Sequence, residues 1–155
     1  MLLVAFPVAL ATTKADFNGK WMMDTAKSKG VAAGMDQIMT ISQNGDRLMI
    51  QTKIYPENTP NIIQNDEYTL DGKETAFTRQ TANGEAQGKR TARWAEDGKG
   101  FEIIEEIVNP TPKGPVTVKI NRKWVMADDG KSLTIDLNQV DPQRTVQTSR
   151  LFLKQ

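Results

Sequence analysis

Three arginines stand where strands would otherwise present apolar faces. Across residues 116–126, Val116, Val118, Ile120, Trp124 and Met126 fall on one face at a period of two, and Arg122 interrupts it. Across residues 146–154, Arg150 shares a face with Val146, Thr148 and Phe152, and across 88–95 Arg90 lies with Ala92 and Trp94. Side chains alternate along a strand, so a cation on the apolar face points toward the core. There it needs a carboxylate or an aromatic ring. Glu105 is a partner for Arg122, unless that strand's faces are reversed by a register shift of one residue. For Arg150 the partner is the ring of Trp21, in the run Phe17-Asn18-Gly19-Lys20-Trp21. Gly19 allows a close approach there, and Trp21 offers the largest apolar surface to plug the end of a barrel.

The rest of the chemical menu is short. The chain has no Cys, which excludes disulfides, thiolate metal sites and cysteine nucleophiles, and no His, which removes the usual metal ligand and the usual general base. Neither a metal nor any other cofactor is expected. Glu102, Glu105 and Glu106 invite a catalytic or metal-binding reading, but on a strand Glu102 and Glu106 take one face and Glu105 the other, and a solvated face accounts for them better. An isomerase or cyclase built on Glu, Tyr68 or Lys is the one enzymatic reading left, and a non-enzyme is preferred to it. The Asp-Gly pairs lack the alternating ligand spacing of an EF-hand. The seven Met, five of them between residues 22 and 49, suit either a promiscuous apolar pocket or ordinary core filling. With Lys+Arg 20 against Asp+Glu 19, and the charges interspersed, nothing marks a nucleic-acid or anionic-membrane surface.

The elements that must position these residues are strands. The chain has 155 residues, which suits one domain with one core. Six of the 11 Gly directly follow Asn or Asp, and five of those six fall between strand-like runs. Asx-Gly is a strong hairpin signal, and the type I′ turn it favours needs positive φ at both central residues. Tight turns at that frequency make sequence neighbours antiparallel partners. The expectation is an all-β, up-and-down antiparallel meander barrel of about 8–10 strands, closed because closure removes edges. One short helix is expected after the first strand, between Asp24 as N-cap and Gly30 as the terminating residue. Residues 1–11, MLLVAFPVALA, read as a signal-peptide core ending small-x-small, although no Lys or Arg precedes them. That makes 12–155 the barrel domain and implies an exported, periplasmic or extracellular monomer. An extra apolar strand or an irregular start is the alternative.

Phe17-x-Gly19-x-Trp21 near the start, the meander, and Arg150 in the last strand together resemble the calycin superfamily. The opening FNGKWMMDTAKSKG and the ending TSRLFLKQ are similar to the fatty-acid-binding branch, and exported bacterial lipocalin-like proteins are similar in style. Two departures stand out. The dozen residues from 24 to 34 are too few for the branch's two helices, and Phe152 stands where that branch carries a Tyr. The resemblance implies carriage of one small hydrophobic, fatty-acid-like molecule. It further implies that Arg122 and Arg150 hold the ligand's carboxylate while Trp124, Met126 and Phe152 line its tail, with Arg90 and Trp94 on the same interior. It implies equally a structural closure by Gly19, Trp21 and Arg150. The alternative is a barrel filled by its own side chains, serving as a structural or protein-interaction module.

Overall fold

The computed structural model describes residues 12–32 and 34–155. The expected signal segment, 1–11, lies outside them. Ten strands follow one another: β1 Gly19–Lys29, β2 Met35–Asn44, β3 Arg47–Pro56, β4 Ile62–Thr69, β5 Asp71–Thr81, β6 Gly84–Trp94, β7 Gly100–Asn109, β8 Val116–Met126, β9 Ser132–Val140 and β10 Thr145–Lys154. They form one antiparallel sheet in the order β4-β3-β2-β1-β10-β9-β8-β7-β6-β5. β1 and β10 zip the two ends of the chain together, which curls the sheet into a barrel. Closure is incomplete, because consecutive strands β4 and β5 are the two edges and form no ladder with each other.

The hairpin turns are built differently from the expected type I′. Asn58 is the one non-Gly residue with positive φ among the described residues, so no Asn or Asp preceding a Gly adopts the conformation that type I′ demands. Between β2 and β3 the central pair is Gly45-Asp46, with φ of +59° at Gly45 alone, the pattern of a type II′ turn. At the Asp-Gly pairs the Asp side chain makes the turn. In three Asp-Gly-Lys triplets the Lys amide donates to the Asp Oδ1 two residues back, at 2.9 Å in each: Lys73 to Asp71, Lys99 to Asp97 and Lys131 to Asp129.

The helix expected from Asp24 to Gly30 is not formed, and β1 runs through to Lys29. The capping chemistry that suggested it is present but limited to one turn. Asp24 Oδ1 accepts from the Lys27 amide at 3.1 Å, and Gly30 has φ of +71°. What these interactions close is a bulge. Asp24 registers with Leu151 and Lys29 with Ser149, so five steps along β1 oppose two along β10. Ser28 Oγ fastens the bulge, accepting from the Leu151 amide at 3.0 Å and donating to the Asp24 carbonyl at 2.7 Å.

The interior splits into two apolar clusters. The larger fills the closed end and includes Phe17, Trp21, Phe101, Trp124, Leu133 and Phe152, all buried. The smaller, Ala86, Ile107, Val118 and Ile120 with Phe77 against them, lies under the β5–β8 side. Residues 12–18 cross the closed end before β1 begins. Gln43 pins them, accepting from the Phe17 amide at 2.8 Å through its side chain, while its own amide donates to Asn18 Oδ1 at 2.6 Å. Trp21 Nε1 donates to the Phe17 carbonyl at 2.9 Å, which satisfies its buried polar end.

Candidate ligand-binding site

Alternation along β8, β10 and β6 places all three arginines indoors, as the period-two reading expects. They do three different jobs. Arg122, 19% exposed at its side chain, pairs with Glu105, whose carboxylate is fully buried on the facing strand β7, at 2.8 Å from Nη1 to Oε2. Burial pulls the Arg122 guanidinium down, but the Glu105 charge and hydrogen bond, with Tyr68 and Asp66 nearby, outweigh it and hold the group above its ordinary value. Glu105 therefore departs from the solvated-face reading. Glu102 keeps to it, on the outside, bound by Arg93 at 2.8 Å and Asn121 at 2.9 Å.

Arg90 joins the same carboxylate more loosely, 3.7 Å from Nε to Oε1. Its guanidinium sits between two rings, 3.9 Å from the centroid of Phe77 on β5 and 5.0 Å from that of Tyr68 on β4. Nη1 also donates to the Glu67 carbonyl of β4 at 3.3 Å. A side chain of β6 thus clasps both unpaired edges where backbone hydrogen bonds are missing. Gly88 makes room for it: a Cβ there would lie 2.5 Å from the Phe77 ring.

Among the described residues Arg150 has neither kind of partner. The cation over Trp21 is Lys154, 5.3 Å from the ring centroid, reaching it across Gly19. The barrel closure thus consists of Gly19, Trp21 and Lys154, and Arg150 falls opposite the β1 bulge instead. There its Nη1 donates to Gln37 Oε1 of β2 at 3.3 Å, and its Nε is buried without an acceptor. Burial, and then the neighbouring Arg122 charge, push its guanidinium below its ordinary value.

These residues border a cavity of about 260 Å³ on the β2–β4 and β8–β10 side. Arg122, Trp124, Arg150 and Phe152 line it, with Met39, Ile50, Ile54 and Ile135 supplying aliphatic wall. Arg90, Trp94 and Met126 do not. Arg90 is the edge clasp, Met126 is buried in the closed-end cluster, and Trp94 packs against Phe17 and Phe101 there, its Nε1 donating to Asp46 at 2.8 Å. The sequence reading did not single out Gln37, Gln64 and Asp66, which also line the cavity. The signal for Gln37 was present, since it shares its period-two face with Met35, Met39 and Ile41. Among the described residues, two guanidiniums, Arg122 and Arg150, and one carboxylate, Asp66, line the cavity, and Glu105 pairs with Arg122 beside it.

No family model matches the chain, and no curated protein matches it. Solved structures do match. The crystal structure of the zebrafish ileal bile acid-binding protein, complexed with cholic acid, aligns with a TM-score of 0.56 at 19% identity, covering 90% of this chain and 98% of that one. The likeness is one of fold, ten antiparallel strands in a nearly closed barrel. No helix lies between β1 and β2 among the described residues, and a bulge in β1 occupies part of that connection.

Proposed function

We propose that this barrel binds one small lipophilic molecule with an acidic group, non-covalently and without catalysis. The observation that carries the reading is Arg150, a cation facing a cavity with no carboxylate beside it among the described residues, whose buried Nε lacks an acceptor. An isolated buried charge is costly, and an anionic ligand offering bidentate hydrogen bonds relieves that cost. Trp124 Nε1, on another lining side chain, is a second buried donor without an acceptor. Aliphatic and aromatic walls supply the remaining affinity at roughly 25 cal/mol per Å² of apolar surface covered. A volume of about 260 Å³ lies near the low end of small-molecule sites, which selects a compact ligand.

Arg122 enters this reading as support. Its charge is already matched by Glu105, so it orients and shares the ligand's anion rather than anchoring it. The alternative of a filled interaction module fits the β5–β8 half, where the second apolar cluster occupies the interior, and does not fit the hollow half. The reading is completed by export through residues 1–11 and by a monomer, both resting on the sequence alone.

Native mass spectrometry of the purified protein, followed by solvent extraction, tests the proposal directly. A co-purifying mass of a few hundred daltons that is lost in Arg150→Met is the expected outcome. With dodecanoate as probe, Arg150→Met should lower affinity by about ten- to a hundred-fold. An unshifted apo mass, together with no binding of fatty acids of any chain length, sinks it.

A further inference from the structure

We infer that the ligand carries a second polar group, a hydroxyl or amine, which donates to the Asp66 carboxylate across the cavity from its acidic end. This rests on the proposed ligand site and narrows the ligand's class to an acidic amphiphile with a hydrogen-bond donor on its body.

The two polar poles of the cavity are chemically opposite. One pole is made of donors: Arg150, whose Nε lacks an acceptor, and Trp124, whose Nε1 lacks one too. The other belongs to edge strand β4, which lines the cavity with Gln64, Asp66 and Tyr68, whereas β3 lines it with Ile50, Thr52 and Ile54. Asp66 is partly buried and makes no ion pair among the described residues. Arg122, whose charge lies near Asp66, gives its hydrogen bond to Glu105 at 2.8 Å and makes none to Asp66 among the described residues. An ionised carboxylate only accepts hydrogen bonds. A ligand filling the cavity takes water away from Asp66 and must replace that water with a donor, or leave a covered charge unpaired. A plain hydrocarbon tail does not meet this demand, and a second acidic group is repelled. A hydroxyl or amine meets it, and Gln64 beside it, both donor and acceptor, completes the set.

Isothermal titration of dodecanoate and of a positional series of hydroxydodecanoates decides the matter, using the wild type, Asp66→Leu, Asp66→Asn and Arg150→Met. At least one hydroxy isomer should bind the wild type about ten-fold more tightly than dodecanoate. Asp66→Leu should reverse that order and Asp66→Asn should flatten it, each with an unchanged thermal unfolding profile confirming the fold. If the wild type binds every hydroxy isomer no better than dodecanoate, or if both Asp66 variants keep the preference, the inference is overturned. Loss of dodecanoate binding in Arg150→Met with silent Asp66 variants overturns this inference while leaving the acid-anchored site standing. Failure of the wild type to bind any of these probes overturns both.

Discussion

Glu105 is the residue on which the interior charge depends. Its fully buried carboxylate serves two guanidiniums, Arg122 at 2.8 Å and Arg90 at 3.7 Å, and no water-facing surface compensates for its loss. Glu105→Gln should therefore destabilise by about 3 kcal/mol, since removing one member of a buried pair leaves the other charges uncompensated. The measurement is the urea midpoint at constant slope, and an unchanged midpoint would refute the role given to Glu105. The same substitution frees Arg122 to face the cavity unpaired. Dodecanoate should then bind more tightly relative to the folded population, a gain that a purely structural Glu105 would not produce.

At the scale of elements, the weak seam is the β4/β5 edge. A β-sheet edge exposes unpaired backbone groups, and here the Arg90 side chain spans the opening through Tyr68, Phe77 and the Glu67 carbonyl. Arg90→Met keeps most of the stem and removes the cation. It should cost about 2 kcal/mol, the magnitude of a desolvated cation–π contact, and should speed amide exchange in β4 and β5 selectively. Uniform acceleration across all ten strands would show that the clasp is not local. Gly88→Ala attacks the same seam from below, because its Cβ meets the Phe77 ring at 2.5 Å. A loss of about 1–3 kcal/mol in chemical denaturation is expected.

For the whole molecule, the pattern of titrating groups sets the pH range of stability. With no His, no side chain has an ordinary value between roughly pH 5 and 8, so folding stability should be nearly flat there. The carboxylates tell on the acid side. The backbone amide and side chain of Asn18 hold Asp16 below its ordinary value, the side chains of Lys14 and Trp94 do so for Asp46, and Arg93 and Asn121 for Glu102. A carboxyl depressed in the folded state contributes stability that is fully present above its unfolded value. That contribution disappears as pH falls through the folded one. The stability curve should therefore bend down starting near the ordinary carboxylate values of 3.8 and 4.5 and continue below them. A thermal unfolding series from pH 8 to 2 reads it directly, and a bend near pH 6 would contradict this account.

The sequence by itself determined the antiparallel meander, a strand count of about 8–10, and the inward faces. Alternation is a strictly local property: once Ile120, Trp124 and Met126 point in, Arg122 must follow. It excluded cysteine and histidine chemistry in the same way, because residues that are absent cannot be folded into a site. Local signals failed where a neighbour competed for them. Asp24 and Gly30 carry real capping chemistry, yet strand pairing with β10 confined it to a bulge, since ladder hydrogen bonds extended on both sides while an isolated helical turn had no packing face. Only the tertiary structure decided which partner each cation received. Lys154 or Arg150 over Trp21, Glu105 for Arg122, two aromatic rings for Arg90 and an open cavity for Arg150 are choices among groups far apart in sequence. Register and barrel curvature make those choices, and neither is written in the spacing of any one strand.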